Sequence, residues 1–409
     1  MPILLEKDLK RRLPAMYKAR QVFEKVSLGN VEEVIRKEIY HEEIREKVKP
    51  QMKIAVGVGS RGITNIAVMV KTTIDCLKEM GADPFIVSAM GSHGGGEPEG
   101  QRQILSDYGI TEKAMGVGVV TDVDVVVVGK TVSGSSVYFD RAAYNADMTI
   151  VINRIKPHTE FNGVIESGLC KMLVIGLGNQ IGCSRAHEKR PSEMGKSIEE
   201  SVKVILKNTN FGFGIGIVED SFHNTAELKV IPSDKLLQEE PKLLMRAKEL
   251  MAKLFFPEID VLIIEQIGKN ISGTGADPNV IGRVSAKKES SFVPRIQNIV
   301  ILDLTKETHG VFTGLGLGDV TTKKVFNKLD FEKTYANEIA ARSEKITSAI
   351  PIVMESEREA IIAAMVKCFD VENDQYKIVR IQDTMNLEEI MISEALLPFA
   401  KQSNKIELY

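Results

Sequence analysis

The chain has 409 residues, 43% hydrophobic and 27% charged, and its 53 Lys and Arg stand against 56 Asp and Glu for a formal net charge of −3. That length allows two or three domains with cores of full size, and the even mixing of both signs gives no electrostatic reason to expect nucleic acid or an anionic membrane as partner. The four cysteines, at 76, 170, 183 and 368, form neither a CxxC pair nor a zinc-knuckle spacing, so neither a disulfide framework nor a cysteine-held Fe–S cluster is indicated.

The first residues, MPILLEKDLKRRLPAM, carry charge by position 6 and lack the uninterrupted apolar core of a secretory signal. Apolar runs such as VGVVTDVDVVVVG contain Asp122 and Asp124 and stop short of the roughly 20 residues a membrane helix needs. A cytoplasmic enzyme is the expectation.

KIAVGVG, from Lys53 to Gly59, reads as a buried strand, and NIAVMVKTTIDCLKEMG after it has helical spacing up to Gly81. PFIVSAM forms a second strand that breaks at GSHGGG, so the order strand, helix, strand points to a mostly parallel α/β sheet. EPEGQRQILSDYG is helical, and VDVVVVG, MTIVINRI and KMLVIG are three further strand candidates. A helix through IEESVKVILKN precedes FGFGIGIVED and AELKVIP, an antiparallel or mixed pair.

The amphipathic pattern of PKLLMRAKELMAKLFF closes at Pro257 and sets the domain boundary, giving an N-terminal α/β domain over 1–255 and a C-terminal α/β domain over 256–409. The second opens with DVLIIEQIG and NIVILDLT and has helix candidates in KVFNKL and REAIIAAMVKCF. The final LEEIMISEALLPFAKQ reads as helical and either caps the second domain or returns to the first. The fold class is therefore α/β, two domains, each with a mostly parallel or mixed sheet flanked by helices, and the active site is expected in the cleft between them.

Four apolar runs end directly in Gly, Ser, His, Arg or Lys: GVGSRG with Arg61, SAMGSHGGG with His93, INRIKPH with Lys156 and His158, and LIIEQIGK with Glu265, Gln266 and Lys269. In parallel sheets ligands bind outside the carboxyl ends of the strands, so these residues form the candidate site. GSHGGG either wraps a ligand while presenting His93 or is a plain glycine turn. GVGSRG lacks the P-loop pattern and has no acidic ribose partner at the distance a dinucleotide-binding GxGxxG requires, and Arg61 is either a forked carboxylate clamp or one half of a surface ion pair. Pro157 turns the chain out of the sheet and projects His158, an imidazole suited to proton abstraction.

Lys171 stands before MLVIG between Cys170 and Met172. A lysine entering a strand either has a chemical task, such as covalent attachment through its amine, or lies at the edge with its head in water. His187, taken alone, reads as solvent-exposed, and no HExxH occurs. A zinc site made of protein alone would need His93, His158, His187 and an acid such as Glu166 or Glu188 to assemble from a distance. In GKNISGTGADPN and the residues after it, Asp277, Asn279 and Arg283 either recognise substrate hydroxyls or a second carboxylate, or build a turn.

Taken together, GSHGG at 91–95, RIKPH, the glycine-broken approach to Lys171 and the sixteen residues from Lys171 to His187 resemble the nickel-dependent lactate racemase family, over residues 50–190 and more loosely to about 380. The resemblance implies a nickel-pincer nucleotide, nickel pyridinium-3,5-bisthiocarboxylic acid mononucleotide, joined through a thioamide to a lysine, with nickel held by one ring carbon, two sulfurs and one histidine. By it Lys171 is the anchor, His187 the metal ligand, His93 and His158 the catalytic pair, and Arg61, Gln266 and Lys269 the groups on the cofactor and substrate side. It further implies racemisation or epimerisation of a 2-hydroxy acid through a planar keto acid, and transient cofactor-maturation proteins as partners.

The chain departs from the family at the anchor. GVIESGLCK places Lys171 thirteen residues after His158, three more than the ten of the family's GFSGG-x-K approach. The competing readings are a metal-assisted hydrolase, lyase or dehydrogenase using the same cleft, and a non-catalytic protein that binds small acids or handles cofactor.

Overall fold

The structure, a computed structural model, describes residues 3–60, 62–283, 294–341, 347–372 and 375–409. The chain divides into two compact units, one continuous over 24–251 and one combining the first 23 residues with 252–409. Among the described residues, no helix is long and apolar enough to cross a membrane.

Unit 24–251 is built on six strands in the spatial order 119–120, 83–88, 53–58, 148–154, 211–219, 225–232. The first five run parallel and the last returns antiparallel, pairing Ile217 with Leu228. Both faces are covered, which explains the near-continuous apolar strands. Ile54, Val56, Val58, Ile150 and Ile152 pack with helices Val31–Ile39 and Ile66–Glu79. Ala55 and Val151 face the other way, toward helices Pro191–Asn208 and Leu236–Leu250. Strands 53–58, 83–88 and 119–120 run outward in one direction and 148–154 then 211–219 in the other, so the order reverses between 53–58 and 148–154. Such a reversal opens a crevice at the carboxyl ends of the two strands.

KMLVIG is not a strand. Leu169–Lys171 is a helical turn that runs into a turn of π-helix over Met172–Gly176, closed by Leu177 N–H donating to Met172 O at 2.8 Å. The physical reason lies in its neighbours. Strands 148–154 and 211–219 pair in parallel, and a parallel pair needs a crossover that packs helices on the sheet face.

The second unit carries eight strands in the order 352–354, 320–322, 295–301, 258–264, 378–381, 389–393, 16–21, 406–408. The first five are parallel and the last three antiparallel. Its core joins Val261, Ile263 and Val300 to helix Glu357–Val366. LEEIMISEALLPFAKQ is helical only at its end, over Leu397–Gln402, while Glu389–Ser393 is a strand. Ile390 and Ile392 are buried and Met391 between them is not, an alternation of period two.

Candidate active site

Three strands of unit 24–251 deliver their carboxyl ends to one region. After 53–58 comes Ser60, whose hydroxyl meets His93 Nδ1 and whose carbonyl accepts from Tyr108 OH at 2.8 Å. Arg61, the expected carboxylate clamp, lies outside the described residues. After 83–88 the loop 91–96 turns through left-handed glycines and places His93, half-buried, in a short 3-10 turn. Gln101 ties the loop down by donating to the carbonyls of Gly91 and His93 at 3.1 and 3.3 Å.

After 148–154 the chain forms a closed loop. Lys156 and Ser167 exchange backbone hydrogen bonds of 2.9 and 3.2 Å, and the loop between them carries His158. The His158 ring stacks on Phe161 with centroids 4.1 Å apart. Its Nδ1 accepts the backbone N–H of Glu160 at 3.0 Å, so the neutral ring carries its proton on Nε2. Nε2 lies 2.6 Å from Lys171 Nζ. The contact sets the imidazole beside the amine, the nucleophile in any covalent attachment through Lys171.

The 169–187 segment packs onto the strand ends with no room to spare. A side-chain carbon on Gly59 would stand 2.9 Å from the Met172 methyl, and one on Gly176 would stand 2.7 Å from Ala89 O. Gly91 N–H donates to Gly176 O at 3.1 Å, joining the His93 loop to the Lys171 segment. Glu240, on helix Leu236–Leu250, accepts the Cys170 N–H at 2.8 Å; complete burial pushes its carboxyl up to about 7, against the pull of that N–H.

His187 ends helix Asn179–Ala186, half-buried rather than exposed. Its Nδ1 donates to Cys183 O at 2.8 Å, which fixes the tautomer with the Nε2 lone pair outward, the arrangement of a metal-ligating histidine. Cys183 Sγ lies 3.6 Å from the same Nδ1 and 3.5 Å from Ser92 Oγ. Its thiol is held below the usual range: burial works against this, and the bonds to His187 and Ser92 outweigh it. The thiol raises His187 in turn, while burial and any charge on Lys171 oppose the imidazolium.

The acids proposed as partners for a zinc ion are committed elsewhere. Glu166 is buried and accepts from His158 N, Gly163 N and Lys248 Nζ, and Glu188 pairs with Arg185. Among the described residues, no group of three or more His, Cys, Asp or Glu side chains could hold a metal ion. A centre that takes a single imidazole from the protein makes no such demand.

In the other unit, Gln266 follows strand 258–264, half-buried, and Lys269 is exposed. Gln266 lines a cavity of about 450 Å³ with Glu265, Asp303, Thr322, Lys324 and Gln382, all just beyond strand ends. Asp277 caps helix Pro278–Ile281 through Asn279 N at 2.8 Å and so serves the local turn, while Arg283 pairs with Asp319 and donates to the carbonyls of Leu317 and Gln297, tying that turn to the strand region.

Sequence reasoning missed Glu240 and the part played by Cys183, and took Glu166 only for a metal-binding acid. Cys183 had a signal in its spacing of four from His187. Glu240 and Lys248 had none, because their partners lie about 70 and 82 residues away.

The fold defines an α/β protein with parallel and mixed sheets flanked by helices. Residues 9–197 match the family described as "Lactate racemase N-terminal domain". The solved lactate racemase apoprotein from Thermoanaerobacterium thermosaccharolyticum has the same fold, with a TM-score of 0.55 over 91% of this chain and 99% of that one, at 14% identity. No curated protein sequence matches the chain. The relation is distant: the family match covers less than half of the chain, and the structural likeness is one of fold.

Proposed function

We propose that the protein is a 2-hydroxy-acid racemase or epimerase that works by hydride abstraction and return, with a nickel-pincer nucleotide joined to Lys171 and ligated by His187. The observation that carries this reading is the 2.6 Å contact between Lys171 Nζ and His158 Nε2, within the matched residues 9–197. The residues suit the group: an amine that would form the amide-type link, and an imidazole whose Nδ1 is committed to Cys183 O and whose Nε2 would ligate nickel. When bound, it would supply the hydride acceptor and the Lewis-acidic metal.

The chain supplies proton transfer and positioning. His158 would take and return the hydroxyl proton at Nε2 from the tautomer that carries its own proton on Nδ1, a form that gives up the Glu160 N–H bond and that acylation of Lys171 would favour by removing the amine partner from Nε2. His93, braced at Nδ1 by Ser60, serves the opposite enantiomer, because the alcohols of the two hands point to different sides of the reacting carbon. Arg61 would hold the substrate carboxylate in its fork and assist the cofactor. Maturation proteins would install the cofactor in the cytoplasm.

The test is intact mass of protein produced together with cofactor-building enzymes, followed by peptide mapping. An adduct on Lys171 that Lys171→Ala abolishes is expected, together with deuterium retained at the alcohol carbon after inversion. Full turnover by protein with an unmodified Lys171 would reject the reading.

A further inference from the structure

We propose that Glu166, backed by Lys248, is a positioning residue that holds His158 against Lys171; this rests on the roles given above to those two residues.

Three residues beyond the family spacing amount to about 10 Å of extended chain, enough to carry His158 away from the lysine. The excess is contained, because Lys156 and Ser167 close the loop at its base. Inside it, Glu166 Oε2 accepts His158 N–H at 2.7 Å, and Oε1 accepts Gly163 N–H at 3.2 Å and Lys248 Nζ at 2.6 Å. One carboxylate thus grips the loop at the histidine and at its far turn. The Glu166 side chain is fully buried and that of Lys248 is 39% exposed, so the lysine reaches in from the surface to pair with a carboxylate inside the fold. Lys248 and Glu240 lie on one helix, about two turns apart. Through Glu166 the helix fixes His158, and through Cys170 N–H it fixes the turn that presents Lys171. The longer loop is therefore anchored from within.

The test uses full-length apoprotein with ¹⁵N-labelled histidine, the His158 signals being assigned with His158→Gln. Wild type should show a neutral ring protonated at Nε2. Glu166→Gln and Lys248→Met should both average the two ring nitrogens of His158 while leaving His187 unchanged, and Lys248→Arg should restore the wild-type pattern. In cofactor-loaded protein the first two variants should lose tenfold or more in kcat with KM within about twofold. An unchanged His158 signal in both Glu166→Gln and Lys248→Met overturns the proposal; since Lys248 is half-exposed, its variant tests the point even if Glu166→Gln does not fold. A shifted signal in a protein that never forms a Lys171 adduct would uphold Glu166 as the holder of His158 and reject the catalytic reading instead.

Discussion

Burial sets the behaviour of Glu240 more than any charge near it. Its carboxyl sits at about 7 in the fold against an ordinary 4.5. Between those values the folded chain keeps a proton that the unfolded chain has released. The stability from the neutral form is thus complete below about 4.5 and is lost as pH rises through about 7. The difference corresponds to something on the order of 3 kcal/mol. Relative to Glu240→Gln, wild type should lose that much stability between pH 4.5 and 7.5, as read by urea unfolding of both proteins. A difference that stays flat with pH would contradict the assigned environment. At the same scale, His187→Ala should cut the nickel content of co-matured protein at least tenfold, measured by elemental analysis, with little effect on folding because the side chain is half-buried. His93 and His158 stand out as candidates in the sequence because glycine or proline punctuation sets them off from apolar runs, whereas His187 is singled out only by the family resemblance. Glu240 does not stand out, since EEPK looks like any solvated helix face until the fold brings Cys170 against it.

Among elements, the strand, helix, strand order of residues 53–88 and the antiparallel pair at 211–232 could be read directly from periodicity and glycine stops. KMLVIG could not. Six residues with one charge fit a buried strand and a buried helical turn equally well, and only the pairing of its neighbours decides. LEEIMIS misled for the opposite reason, since its good helix formers yield to a sheet that needs Ile390 and Ile392 inside. The close seating of the 172–176 turn predicts the effect of one methyl group. In Gly176→Ala the new carbon would stand 2.7 Å from Ala89 O and 3.0 Å from Met172 Sδ. Overpacking of that kind costs about 1–3 kcal/mol, so the unfolding midpoint should fall by several degrees, and adduct formation at Lys171 should slow. A midpoint equal to wild type would mean that the segment yields freely.

At the scale of the whole molecule, the two units differ in how the chain makes them. Unit 24–251 is continuous and has two apolar clusters, one on each face of its sheet. Expressed alone it should unfold cooperatively, with near-UV circular dichroism showing fixed aromatic packing; a broad, non-cooperative melt would refute this. The other unit depends on strand 16–21, which lies between 389–393 and 406–408 and pairs with both. Deleting residues 1–23 should therefore destabilise that unit selectively, with hydrogen exchange accelerating across 378–408 and not across 148–219. Sequence patterns located the α/β character of both halves but not this return of the first strand, because MYKARQ has no apolar alternation strong enough to mark it.

The placement of strand 16–21 also orders events on the ribosome. It leaves the exit tunnel long before either of its hydrogen-bonding neighbours, which are made almost four hundred residues later. While those residues are synthesised it must wait with both edges open as 24–251 assembles behind it, which makes the charged residues Lys18 and Arg20 useful guards against pairing with the wrong chain.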